Sequence, residues 1–157
     1  MLPFSVHEFA AVGHDGLRHV LAELKHSTNR VYNGGVFVYF TGAKVAETGQ
    51  SWCPSCVQAD PVIGQAIHKL ITLCNSYPED THVAFIKCDV GPRESWKSPD
   101  NSIKADATLD VQSVPTIIEY SLAYGKRVPG RKLDKDEQLQ DKDEIIKFIL
   151  ASQRPKY

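Results

Sequence analysis

Chemistry in this chain concentrates at Ser51-Trp52-Cys53-Pro54-Ser55-Cys56, where two cysteines stand two residues apart. A CxxC pair suits reversible exchange between a dithiol and a disulfide. The apolar, strand-like run Val36-Phe37-Val38-Tyr39-Phe40 precedes it, and Ile63, Ala66, Ile67, Leu70, Ile71 and Cys74 follow at helical spacing. Cys53 is therefore expected at a helix N-terminus, where partial positive charge favours thiolate and lowers its pKa from roughly 8.5 towards neutrality. On that first turn Cys53 should be exposed near the cap, while Cys56, three residues on, faces inward. The roles divide accordingly. Cys53 attacks a substrate disulfide to give a mixed disulfide, and Cys56 then displaces the reduced substrate. Trp52 can pack beside the sulfurs, and Pro54 fits the first turn because its missing N–H would have no partner there.

A zinc knuckle is the competing use of Cys53, Cys56, Cys74 and Cys88, whose intervening segments are two, seventeen and thirteen residues long. A zinc ribbon wants a second close pair, which Cys74 and Cys88 do not supply, so no bound metal is expected. Cys74 on an apolar helix face and Cys88 at a strand end read as buried, inert thiols, and His82 as a strand-edge histidine. Val114-Pro115-Thr116 is the second informative point. A proline opening a strand can adopt the cis peptide, and its plain reading is strand initiation. Beside a CxxC it marks a backbone edge on which an extended substrate could lie. Trp52, Pro54, Ser55, Val114 and Pro115 are thus the expected substrate-binding residues.

The elements that must position these residues follow from periodicity. Phe4-Ser5-Val6-His7-Glu8-Phe9 predicts a short first strand, and Asp15 a helix N-cap, with Leu17, Val20, Leu21 and Leu24 repeating to about Lys25. Asn33-Gly34-Gly35 breaks the chain before a charge-free strand over 36–41, which reads as central and covered on both faces. Residues 42–51 form a long polar loop ending at Trp52. It reads as a wall beside the site rather than a plain insertion. The helix after the CxxC should reach about Asn75 with a kink at Pro61. A strand over 82–90, a loop over 91–101 with one helical turn, and a short helix over 102–109 follow. Then come a strand over 117–122 and an edge strand at 126–128 ended by Pro129-Gly130. Asp141-Lys142-Asp143-Glu144 is a capping-box variant opening a C-terminal helix with Ile145, Phe148 and Ile149. The order βαβαβαββα predicts an α/β fold, a central mixed sheet with helices on both faces.

Bulk properties narrow the class. A length of 157 residues suits one domain over 1–157, with 42% hydrophobic and 24% charged residues as in ordinary globular chains. A net charge of −1 gives no electrostatic reason to expect nucleic-acid or membrane binding. No run reaches the roughly 18 apolar residues of a membrane span. Residues 1–12 carry His7 and Glu8 and lack a basic segment before a long apolar core, so a secretory signal is not expected and a cytoplasmic location is. Reducing surroundings favour a catalytic or metal-binding CxxC over a structural staple.

These motifs together resemble the thioredoxin superfamily: Trp52-Cys53-Pro54-x-Cys56, Pro61 five residues after the second cysteine, and Val114-Pro115-Thr116. Tyr39-Phe40-Thr41-Gly42-x-Lys44, Ser51-Trp52-Cys53-Pro54-x-Cys56-Val57-Gln58-Ala59-x-Pro61-Val62 and Trp96-Lys97-x-Pro99-x-Asn101 are similar, more closely, to the fourteen-kilodalton thioredoxin-related family, also called the thioredoxin domain-containing protein 17 family. The resemblance covers about residues 4–150. It implies a thioredoxin fold and a cytosolic, monomeric thiol-disulfide reductase that holds no cofactor and takes electrons from NADPH through thioredoxin reductase. It further implies small or persulfidated disulfides such as cystine as substrates, poor activity on usual thioredoxin clients, and a link to dynein light chain. Two positions depart from expectation. Tyr39 stands, as the closer resemblance implies, where ordinary thioredoxins bury an Asp behind the resolving cysteine, so Cys56 needs another proton path. Ser55 replaces the family's usual acidic residue, and losing that charge should favour the Cys53 thiolate. Extra length lies around 72–82 and 127–141.

Other readings fit less well. A glutaredoxin would want a Gly-Gly pair after the Val-Pro strand, and none follows Ile118. A secretory oxidase or isomerase would want a signal peptide and His before the second cysteine. A binding module whose redox pair regulates partner contact stays compatible with the sequence.

Overall fold

Strand β2 (Val36–Thr41) shows why the chain folds around its middle. Alternation sends Phe37 and Tyr39 into one apolar cluster and Val38 and Phe40 into another, so both faces need a cover. The computed structural model describes residues 5–25, 32–72, 81–123 and 126–151. Strands β1 (Ser5–Val12), β3 (His82–Asp89), β4 (Thr116–Ala123) and β5 (Lys126–Leu133) complete one sheet in the order β1-β3-β2-β4-β5. β1 and β2 run parallel to β3, while β4 is antiparallel to β2 and β5 antiparallel to β4. The mixed sheet and its covering helices are those of an α/β thioredoxin fold.

Helices cover both sides. Beneath Phe37 and Tyr39 lie Ala59, Ile63, Ala66, Ile67 and Leu70 of α2 (Pro54–Thr72), together with α6 (Lys142–Leu150). The other face takes Leu17 and Leu21 of α1 (Gly13–Lys25), Trp96 of α3 (Arg93–Lys97) and Ile103 of α4 (Ser102–Ala105). Asp141 caps α6 as its sequence predicts, its carboxylate accepting from the N–H groups of Asp143 and Glu144 at 3.0 and 3.3 Å. Of the described residues, no helix is long and apolar enough to cross a membrane.

Several boundaries differ from the sequence expectation. β1 runs on to Val12, because parallel pairing with β3 continues from Ser5↔His82 to Val12↔Asp89. α1 then starts at Gly13, whose φ of 74° makes the turn, so Asp15 lies in the first turn rather than at the cap. The helix expected over 102–109 stops at Ala105. Asp106 accepts from both the N–H and the hydroxyl of Thr108, and the Tyr120 hydroxyl anchors the Leu109 carbonyl at 2.6 Å. Those side-chain bonds compete with helix continuation. Pro129 and Gly130 do not end β5 but lie inside it, at a register shift opposite Ile118 and Tyr120. An edge strand tolerates the missing proline N–H, and a Cβ at Gly130 would approach the Glu119 carbonyl to 3.2 Å. A short helix not expected from sequence, α5 (Asp136–Leu139), buries Leu139 under α2. Phe4, Cys74 and Asn75 lie outside the described residues.

Cys88 is fully buried on β3, and burial first, then the neighbouring Asp89 charge, pushes its thiol up to about 12 from an ordinary 9.0. The folded thiol keeps its proton while the unfolded one ionises. Its contribution is therefore intact below pH 9 and is lost as pH rises from 9 towards 12. The stability advantage of the reduced protein over Cys88→Ala should shrink across that window in urea denaturation; an advantage independent of pH would contradict this.

Candidate active site

The dithiol sits where β2 ends and α2 begins. Cys53 immediately precedes α2, and its carbonyl accepts the Val57 N–H at 3.0 Å to open the helix. The Cys56 N–H points at the Cys53 sulfur at 3.2 Å, an oriented donor on the atom expected to carry negative charge. Ser51 fixes the approach: its hydroxyl accepts from the Cys53 N–H at 3.1 Å and donates to the Gly42 carbonyl at 2.9 Å. Both cysteines are unbonded thiols.

Cys53 is not exposed, contrary to the sequence expectation, but only 5% accessible. Sequence spacing places the sulfur at a helix end and says nothing of the chain lying across it. Here the Val114 carbonyl stands 3.7 Å from Sγ, followed by a cis peptide to the buried Pro115. Cys56 faces inward as expected and has no accessible surface. Burial, and next its hydrogen bond with Cys53, push its thiol up to about 12, while hydrogen bonds from the Gly42 backbone and the Thr41 side chain pull the other way.

Trp52 is locked at three points. Its N–H donates to the Ala43 carbonyl at 3.1 Å, its indole N–H to the Gly91 carbonyl at 2.8 Å, and its ring covers Gly42. A Cβ at residue 42 would lie 2.7 Å from the indole, so only glycine fits. The 42–51 loop closes at its base through a Lys44↔Ser51 bridge and a Val45 N–H to Gln50 carbonyl bond of 2.7 Å. It is a tied turn with an exposed rim, and Trp52 is its root.

Two carboxylates near the dithiol escape the sequence reading. The Tyr39 hydroxyl, held protonated by burial, donates to Asp60 Oδ1 at 2.5 Å, and the Thr41 hydroxyl donates to the same oxygen at 3.0 Å. Asp60 lies four residues after Cys56, one helical turn on, which is the signal that could have found it. Asp136 of α5 accepts from the Ser55 hydroxyl at 2.9 Å across 81 residues of chain. The charge absent at Ser55 is therefore replaced by a neighbouring one. Nothing local in the sequence announces Asp136 beyond the extra length around it. Cys88 stands apart on β3, and His82 opens that strand with its ring nitrogen 2.9 Å from that of His7. Among the described residues no three His, Cys, Asp or Glu side chains converge as a metal site.

Comparison with known proteins gives a consistent grouping. A family model for the thioredoxin domain of thioredoxin domain-containing protein 17-like proteins matches residues 13–151. Thioredoxin domain-containing protein 17 of Homo sapiens is 38% identical over 96 residues, covering 60% of this chain and 68% of its own length. Its counterpart in Danio rerio is 42% identical over 85 residues, covering 54% of this chain and 59% of its own. A crystal structure of Plasmodium falciparum thioredoxin matches with a TM-score of 0.50 at 16% identity, over 99% of this chain and 97% of that one, a likeness of fold alone.

The Ser55–Asp136 pairing makes two substitutions diverge. Asp136→Asn should raise the alkylation rate of Cys53 by iodoacetamide near pH 7, and Ser55→Asp should lower it. Each change is about 1.5- to 5-fold, the range of exposed charge pairs worth roughly 0.2–1 kcal/mol, and smaller at high salt. Peptide mass spectrometry in a Cys56→Ser background reads the site; equal rates in all three proteins would exclude an influence of Asp136.

Proposed function

The chain belongs to the thioredoxin domain-containing protein 17-like thioredoxin family, a thiol oxidoreductase in type, and from that premise we propose that it is a disulfide reductase. One observation carries the reading: two unbonded thiols at the start of α2, with the Cys56 N–H on the Cys53 sulfur and the Val114 carbonyl opposite. Cys53 attacks one sulfur of the substrate disulfide, the other sulfur leaves with the bonding electrons, and a mixed disulfide forms. Cys56 then attacks Cys53, closing an internal disulfide and releasing the second substrate thiol. The backbone at Val114 and Pro115 supports an extended substrate, while Trp52, Pro54 and Ser55 border the sulfurs.

The proposed substrates are small or flexible disulfides such as cystine, and persulfides, because Cys53 is nearly covered and the 42–51 loop stands on Trp52 beside it. Recycling of the internal disulfide falls to thioredoxin reductase and NADPH, in a cytoplasmic setting. NADPH oxidation with thioredoxin reductase and cystine should proceed with the wild type and fall to background with Cys53→Ser. Normal turnover of that variant would remove Cys53 as nucleophile. No turnover of the wild type would instead favour a redox-regulated binding module, with dynein light chain among the partners to try.

The loop supplies a second check. Replacing residues 45–49 by a shorter turn should raise insulin reduction relative to cystine reduction; an unchanged ratio would show that the loop does not restrict access.

A further inference from the structure

The second half of the exchange leaves a proton to be moved. Cys56 has no accessible surface, so water cannot take its proton directly. Burial holds that thiol protonated far above neutral pH. A thiol is a poor nucleophile and the thiolate is the attacking form, so resolution needs an acceptor inside the protein.

One side chain, Thr41, stands between Cys56 and such an acceptor. Thr41 ends β2 beside the start of α2, and its side chain favours the ionised form of the Cys56 thiol. Its hydroxyl also donates to Asp60 Oδ1 at 3.0 Å. A hydroxyl has one proton and two lone pairs, so while that proton faces Asp60, Thr41 presents a lone pair to the Cys56 S–H. Tyr39 and Thr41 are two residues apart on β2 and so share the face that packs on α2, where Asp60 follows Cys56 by one turn. The Tyr39 hydroxyl donates to the same Asp60 oxygen, which fixes the carboxylate against Thr41. Asp60 is only partly buried, so a proton placed on it can pass to water.

We propose that Asp60 accepts the Cys56 proton through the Thr41 hydroxyl, with Tyr39 orienting the carboxylate. The inference rests on the reductase reading of the dithiol. In the resolving step the Cys56 proton moves to Thr41 Oγ as the Thr41 proton moves to Asp60 Oδ1. The Cys56 sulfur bonds to Cys53, and the bond from Cys53 to the substrate sulfur breaks. That sulfur leaves with the electron pair as a thiolate, so the dithiol is oxidised by two electrons and the substrate is reduced by two. Asp60 returns its proton to solvent, or by way of water to the departing thiolate. Once the relay has shifted, Thr41 donates to the Cys56 sulfur and stabilises it as a thiolate until the new bond forms. Asp60 and Thr41 are thus relay residues of the second step alone.

Stopped-flow reaction of the reduced protein with 5,5′-dithiobis(2-nitrobenzoate) separates the two steps, since each releases one coloured thiolate. The first release reports Cys53 attack and the second Cys56 attack. Asp60→Asn should leave the first phase within about twofold of wild type and slow the second by about a hundredfold, the lower end for an acid–base group. Thr41→Val, which keeps shape and removes the hydroxyl, should slow the same phase, and Asp60→Glu should recover part of it. A second phase unchanged in both Asp60→Asn and Thr41→Val would overturn the relay. So would equal slowing of both phases, the mark of a structural defect. Absence of a first phase in the wild type would instead defeat the reductase reading on which the relay stands.

Discussion

β2 is buried on both faces, and the rest of the molecule depends on that constraint. A strand with Phe37 and Tyr39 on one side and Val38 and Phe40 on the other cannot sit at a surface, since each exposed large apolar side chain would forfeit roughly 1.5–3 kcal/mol. It therefore lies between β3 and β4, with α2 and α6 below and α1 above. The polar residues needed for chemistry are pushed to its C-terminal end. Thr41 and Gly42 meet the start of α2 there, and the sulfurs lie at that junction. The same alternation that builds the core places Tyr39 and Thr41 on the α2 face, facing Asp60.

Electrostatically the site is graded from solvent inward. Cys53 receives a backbone N–H and sits at the helix opening, while Cys56 lies behind it in a setting that favours the neutral thiol. An uncompensated charge at that depth would be costly, so a path for the proton matters more than an intrinsic tendency to ionise. Asp60 stands on the inner side and Asp136 on the outer rim. The first accepts from Tyr39 and Thr41 between β2 and α2, and the second from Ser55 at the surface, where water and salt screen it.

Most of the fold was legible because it rests on periodicity. Alternation and helical spacing located β2, β3, β4, α2 and α6, and the Asp141 cap was readable because its partners lie two and three residues away. Most of the misjudged boundaries depend on distant partners. β1 is longer because β3 lies beside it, and β5 passes through Pro129 and Gly130 because the strand is an edge with a register shift against β4. The segment after Ala105 leaves the helix because Tyr120 and Asp106 offer it other hydrogen bonds. Local propensity cannot anticipate bonds whose partners arrive from elsewhere in the chain.

At the site, the sequence alone determined the dithiol, its order and its helix, because two cysteines, a tryptophan and a proline at that spacing have local meaning. It also marked Tyr39 as a substitution that obliges a new proton path. Tertiary structure decided how deeply Cys53 is covered, which carboxylate accepts from Tyr39 and Thr41, and that Ser55 has Asp136 as a neighbour. Depth and long-range partnership come from packing the Val114–Pro115 segment over the helix end and α5 beneath α2. Such distances are set by the volume of the core between elements, and no short stretch of sequence carries that information.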